Sequence, residues 1–151
     1  MKGAILEVLL VSAEGINYNN IIRNSTCYVI IECGTQVSRS KTSKGNDDKI
    51  YWNEKFTFEL GPSELENLSH LKLKIMDEDY FFDGGIVGKT MIYLKGIIVE
   101  GNYRGLLELN PVPFNVVLED DTYKGQIKIG LKYIPNVRSC VLYCLVLLRV
   151  V

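Results

Sequence analysis

Residues 70–77, His-Leu-Lys-Leu-Lys-Ile-Met-Asp, alternate with a period of two: Leu71, Leu73 and Ile75 against Lys72 and Lys74. Successive side chains of a strand point to opposite faces, so this segment reads as a strand with one face in a core and a basic face in water. The same period returns at 55–60, where Phe56 and Phe58 sit between polar neighbours. Further strand-like runs fall at 27–34, 35–42, 86–94, 104–109 and 125–134, with a short edge segment at 114–118. The run at 4–12 is almost continuously apolar, as a central strand covered on both sides requires. Gly34 lies between two of these runs and suits a tight hairpin. One helix start is expected, a capping box of Ser63 and Glu66 after Pro62. About eight strands with almost no helix predict an all-β, eight-stranded antiparallel sandwich.

The 151 residues suffice for one domain with its own core, placed at 1–135, followed by an apolar extension at 136–151. That extension, which includes Cys140 and Cys144, is too short for the ~20 apolar residues of a spanning helix. It reads as a strand-like or unstructured addition, or as a weak membrane-associating tail. Glu7 interrupts the N-terminal apolar run, which reads as a strand and not a signal peptide. The four cysteines form no CxxC pair and the chain has one histidine, so reduced cytosolic thiols are expected and zinc is not. A net charge of −1 supplies no global field toward nucleic acid, so an anionic partner must be met by a local patch. There is no glycine-rich phosphate loop, no GxSxG and no second histidine, and no enzymatic activity is expected.

Three stretches carry a family resemblance: GAILEVLLVSAEGI at the start, YWNEKFTFEL at 51–60, and a DxD loop followed by Gly88-Lys89. Together they resemble the C2 domain over residues 3–134, nearest to the small single-domain plant proteins of elicitor-responsive and phloem-mobile type. The resemblance implies the circularly permuted, type II connectivity, with a calcium site held by aspartates of two loops at one end of the sandwich. Asp77 and Asp79 match the first two positions of the later loop. The third falls on Gly85, with Asp83 two residues early. In the earlier loop the ligand positions fall on Asn20 and Thr26, which carry no charge. Calcium takes six to eight oxygens and its affinity follows carboxylate count, so either a weak remnant site or a solvated acidic loop is expected, with no tight cofactor. An EF-hand reading fails, because Phe82 stands where glycine is needed and Gly88 where the bidentate glutamate belongs.

The loop tips are apolar: Ile21 and Ile22 in one, Tyr80, Phe81 and Phe82 in the other. By resemblance, Ile21 and Phe81 occupy tip positions that enter a bilayer in calcium-dependent relatives; the alternative is that these side chains fold back and cap the sandwich. A second feature is basic. Arg39 and Lys41 share a face if the strand alternation continues through them, and Lys72 and Lys74 share another. The resemblance assigns Tyr28, Arg39 and Lys41 to gripping phosphoinositide headgroups; a solvated outer face is the alternative. The resulting expectation is a cytoplasmic module peripheral to anionic phospholipid membranes, with calcium dependence weak or lost. A protein-interaction module and an RNA or ribonucleoprotein carrier are the rivals. The absence of an aromatic-basic stacking face counts against the carrier.

Overall fold

The computed structural model describes residues 2–16, 26–45, 48–78 and 85–137. In chain order the elements are β1 (Gly3–Glu14), β2 (Thr26–Cys33), β3 (Gln36–Arg39), β4 (Ser43–Lys44), β5 (Lys49–Leu60), α1 (Pro62–Asn67), β6 (His70–Asp77), β7 (Ile86–Tyr93), α2 (Lys95–Arg104), β8 (Leu107–Val117) and β9 (Tyr123–Val137). The strands run β3-β2-β6-β7-β8-β9-β1-β5, all neighbours antiparallel, with β4 on β2. The β7–β8 register consists of the single pair Lys89↔Val117, and here the path folds into two leaves. A Cβ on Gly88 would collide with Val116 Cγ1, so the bare backbone at 88 lets β7 and β8 approach.

The inner faces of both leaves fill one core. Val29, Ile31, Leu73 and Ile75 come from one leaf, and Leu6, Val8, Leu10, Phe58, Ile127 and Ile129 from the other. Each such side chain contributes ~1.5–3 kcal/mol by leaving water. In β6 the alternation is as expected: Leu71, Leu73 and Ile75 are buried while Lys72 is exposed. The apolar N-terminal run is β1, which lies between β5 and β9.

The Trp-Asn-Glu triplet has a local physical role. Leu10 faces Glu54 and Ser12 faces Tyr51, so β5 carries one residue more than β1 here and bulges. Asn53 absorbs the bulge at φ 48°, a left-handed conformation that asparagine tolerates better than most residues. Trp52 packs on the core and its indole Nε1 donates to the Cys27 carbonyl at 3.2 Å, linking β5 to β2 across the leaves. The Glu54 carboxylate accepts the Lys41 amide at 3.0 Å. Nearby, Gln36 Nε2 donates to the Glu59 carbonyl at 2.6 Å and Ser43 Oγ to the Tyr51 carbonyl at 2.5 Å. Side chains from β3 and β4 therefore cap two carbonyls on the side of β5 away from β1.

Several boundaries differ from the sequence reading. The 35–42 run ends as a strand at Arg39, because Ser40 turns inward: its amide and hydroxyl bond the Val29 carbonyl and amide, and it is buried. Lys41 therefore lies beyond β3, and strand alternation does not place it. α1 is capped by Gly61 without a side-chain bond; Pro62 takes the first helical turn and Ser63 falls inside the helix. The run at 104–109 begins on the last residue of α2 and ends in β8, and the run at 114–118 falls on the same continuous β8, which ends at Val117. β9 passes through Pro135 to Val137 by means of a bulge in which Asn136 adopts φ 60°. The last strand thus runs two residues beyond 135, and residues 138–151 lie outside those described.

The unanticipated element is α2. Its apolar residues are spread around the axis: Ile97 and Ile98 pack on the core while Val99 and Tyr103 are exposed, so no 3.6-residue stripe announces it. Gly101 rests on the Tyr133 ring, where a Cβ would collide, and the Tyr133 hydroxyl donates to Asn102 Oδ1 at 2.9 Å. Gly105 ends the helix at φ 85°, its amide bonded to the Gly101 carbonyl.

Candidate membrane-docking face and cation-binding loops

The outer face of the β3-β2-β6-β7 leaf gathers most of the basic residues singled out from the sequence. On β2, Tyr28, Ile30 and Glu32 point outward between the buried Cys27, Val29, Ile31 and Cys33. Arg39 lies opposite Ile30, and its guanidinium carbon sits 3.7 Å above the centre of the Tyr28 ring. A cation held over an aromatic face keeps its in-plane donors free for a phosphate. Lys74 also lies opposite Ile30, and its ammonium bonds Glu32 Oε1 at 3.1 Å. Lys72 lies opposite Glu32 and is exposed. Lys41 is exposed at the margin of this group, its amide fixed by Glu54.

Sequence reasoning missed two members of this face. Lys89 of β7 stands directly opposite Lys74, and its ammonium lies 3.6 Å from Glu119. Like charges directly across a ladder destabilise it, and Glu32 and Glu119 offset the cost. The signal was present: once 70–77 and 86–94 are paired as a hairpin, two lysines meet on the solvent face. Glu32 was the other omission. It pairs with one lysine, so the face is basic but not uniformly so.

At the end of the leaf nearest the 17–25 and 79–84 segments, the described ligand candidates are Thr26, Asp77 and Gly85. Cys27 pairs with Asp77, which brings the start of β2 beside the end of β6. Asp77 is buried. The Thr26 hydroxyl donates to Glu78 Oε2 at 3.0 Å, and the Glu78 amide donates to the Thr26 carbonyl at 3.0 Å. Glu78 was not among the residues expected to matter. It sets a carboxylate against the position where threonine replaces an acidic ligand. Gly85 adopts φ 72°, so a side chain there would sit on a left-handed backbone. Among the described residues no group of three acidic, histidine or cysteine side chains is arranged to hold a metal ion. Asn20, Asp79 and Asp83 lie outside the described residues, as do the tips Ile21, Ile22, Tyr80, Phe81 and Phe82. Cys27 and Cys33 are both buried on the core side of β2, and Cys33 is a free thiol.

The two-leaf antiparallel arrangement and the Trp52 bulge define the class of an all-β sandwich. A profile of the C2 domain matches residues 4–109, and the chain belongs to the C2 domain family. Members of this family commonly bind lipids and calcium. The chain is 35% identical to elicitor-responsive protein 3 of Oryza sativa subsp. japonica over 136 residues, covering 90% of this chain and 87% of that protein. It is equally similar, 35% over 136 residues, to 16 kDa phloem protein 2 of Arabidopsis thaliana, with 90% and 85% covered. A solved C2 domain-containing protein superposes with a TM-score of 0.72 at 33% identity, covering 91% of this chain and 93% of that one. Among the described residues no helix is long and apolar enough to cross a membrane.

Proposed function

We propose that this chain is a non-enzymatic cytoplasmic module that docks at the periphery of anionic phospholipid membranes, with weak or no dependence on calcium. The observation that carries this reading is the Arg39 guanidinium stacked on Tyr28, with Lys72, Lys74 and Lys89 on the same outer face. Each basic group near an anionic surface adds ~1 kcal/mol, and lipid phosphates can replace the carboxylates of Glu32 and Glu119. Ile21, Ile22, Tyr80, Phe81 and Phe82 are assigned to the bilayer boundary, where burial of apolar area adds binding that charge does not supply.

Calcium enters weakly in this reading. Of the expected ligand positions, Thr26 gives a hydroxyl already committed to Glu78, and Gly85 gives no side chain. Asp77, Asp79 and Asp83 remain, a set suited to affinities no tighter than about 10⁻⁴ M. Calorimetry with calcium tests this, and micromolar affinity would overturn it. In the same assay, Asn20→Asp, Thr26→Asp and Gly85→Asp together should tighten calcium binding. Without the ion that triple variant should be less stable than the parent. Thr26→Asp faces Glu78 with a like charge, and Gly85→Asp places a Cβ at φ 72°.

Sedimentation with vesicles of phosphatidylcholine alone, and with added phosphatidylserine or phosphoinositide, tests the docking itself, each with calcium or chelator. The expected result is binding to the anionic vesicles in both conditions. Binding to no vesicle in either condition would refute it. The exposed leaf would then be better read as a protein-interaction surface.

A further inference from the structure

The outer surface of the other leaf, β8-β9-β1-β5, holds a cavity of about 240 Å³ that the membrane reading does not use. Its place follows from three bulges at one level of the leaf. β1 carries Val11 as an extra residue against β9, β5 carries its extra residue beside Asn53, and β8 carries one between Leu109 and Val112. Bulges bend and twist the strands that contain them, and three in line leave a hollow beside the bend. Two adjacent rungs of the same face line it. One crosses four strands as Tyr51, Ser12, Lys128 and Pro113, and the other runs Lys49, Glu14 and Gln126.

The chemistry of this lining is divided. Lys49 Nζ lies 3.5 Å from Glu14 Oε2, and the nearby Tyr51 and Glu14 both hold its pKa above the ordinary lysine value. Lys128 makes no ion pair among the described residues and stands opposite the Ser12 hydroxyl-bearing position. Two ammonium groups against one carboxylate leave an excess positive charge, which selects an anion. Glu14 would repel a bare anion unless hydroxyl groups lay between them, and Gln126 offers further hydrogen bonds to such hydroxyls. Tyr51 and Pro113 provide apolar walls for C–H faces. The volume is below the ~300–1,000 Å³ of drug-sized sites, so the occupant is small.

We propose that this cavity binds a soluble polyol phosphate, the phosphoryl group between Lys128 and Lys49 and the hydroxyls on Glu14 and Gln126. This is independent of the membrane reading, which concerns the other leaf. The test is an amide-resolved NMR titration of the full chain with glucose 6-phosphate, using inorganic phosphate and glucose as comparison probes. Expected are shifts centred on 11–14, 49–51 and 126–128, with glucose 6-phosphate binding more tightly than either comparison. Lys128→Gln, an exposed substitution that leaves the fold intact, should weaken it about tenfold, the loss of one charge-assisted hydrogen bond. The same variant should sediment with anionic vesicles like the parent. No shifts at millimolar glucose 6-phosphate, shifts elsewhere, or equal affinity for inorganic phosphate would each overturn the proposal. A loss of vesicle binding in Lys128→Gln without any effect of the soluble sugar phosphate would overturn it too, and would assign the cavity to a lipid headgroup.

Discussion

At the scale of single residues, the most informative position is Asn53. A Cβ-bearing residue without a short polar side chain is strained by ~1–2 kcal/mol at such a φ. Asn53→Ala should therefore lower the unfolding free energy by about that much, while Asn53→Gly should be nearly neutral. Denaturant melts of the two variants decide it, and equal losses would mean that the side chain and not the backbone matters. The Trp-Asn-Glu signature was visible in the sequence, but its reason was not, because a bulge is a relation between two strands. Cys33 gives a second test. Burial, and then the charge of Glu64, push its thiol up to about 12 from the ordinary value of 9.0. The folded state thus holds its proton where the unfolded chain releases it, so stability is full below about pH 9 and falls as pH rises toward 12. The pH dependence of unfolding should lose this component in Cys33→Ala, and an unchanged slope would show that the thiol titrates normally.

At the scale of elements, strands were legible and α2 was not. β6 could be read because half of its side chains are covered and half are wet. The helix instead meets the leaf through Gly101 on Tyr133, a contact made by the absence of a side chain. Its two glycines, Gly96 in the first turn and Gly101 further along, make opposite predictions. Gly101→Ala should destabilise by ~1–3 kcal/mol, because the Tyr133 ring or the helix must shift. Gly96 has nothing near its missing Cβ, so Gly96→Ala should stabilise by up to ~1 kcal/mol through helix propensity. Thermal unfolding reads both, and shifts of the same sign would contradict the packing described. The candidate site was legible in the same uneven way. Tyr28, Arg39, Lys72 and Lys74 could be picked out one strand at a time. Lys89, Glu32 and Glu78 needed the pairing of strands to be known.

For the whole molecule, the proposed membrane contact divides between two kinds of surface that salt can separate. Charge reversal at Arg39, Lys41, Lys72 and Lys74 should weaken binding to anionic vesicles, and that loss should shrink at high salt, where exposed charges beyond about 8–10 Å are screened. Replacing Ile21, Ile22, Phe81 and Phe82 with Ser should weaken binding to neutral vesicles as well, with little salt dependence. If both sets respond to salt alike, the two surfaces do not act through different physics. The partly capped side of β5 bears on the molecule's behaviour in a crowd. A twelve-residue strand at the end of a sheet is normally a template on which a second chain can add, and the first step toward fibrous aggregates. Here Gln36 and Ser43 already occupy the Glu59 and Tyr51 carbonyls, and Glu54 holds the neighbouring segment in place. An incoming strand would have to displace these bonds before gaining its own. The consequence is resistance to edge-to-edge polymerisation, built into the same few residues that join the two leaves.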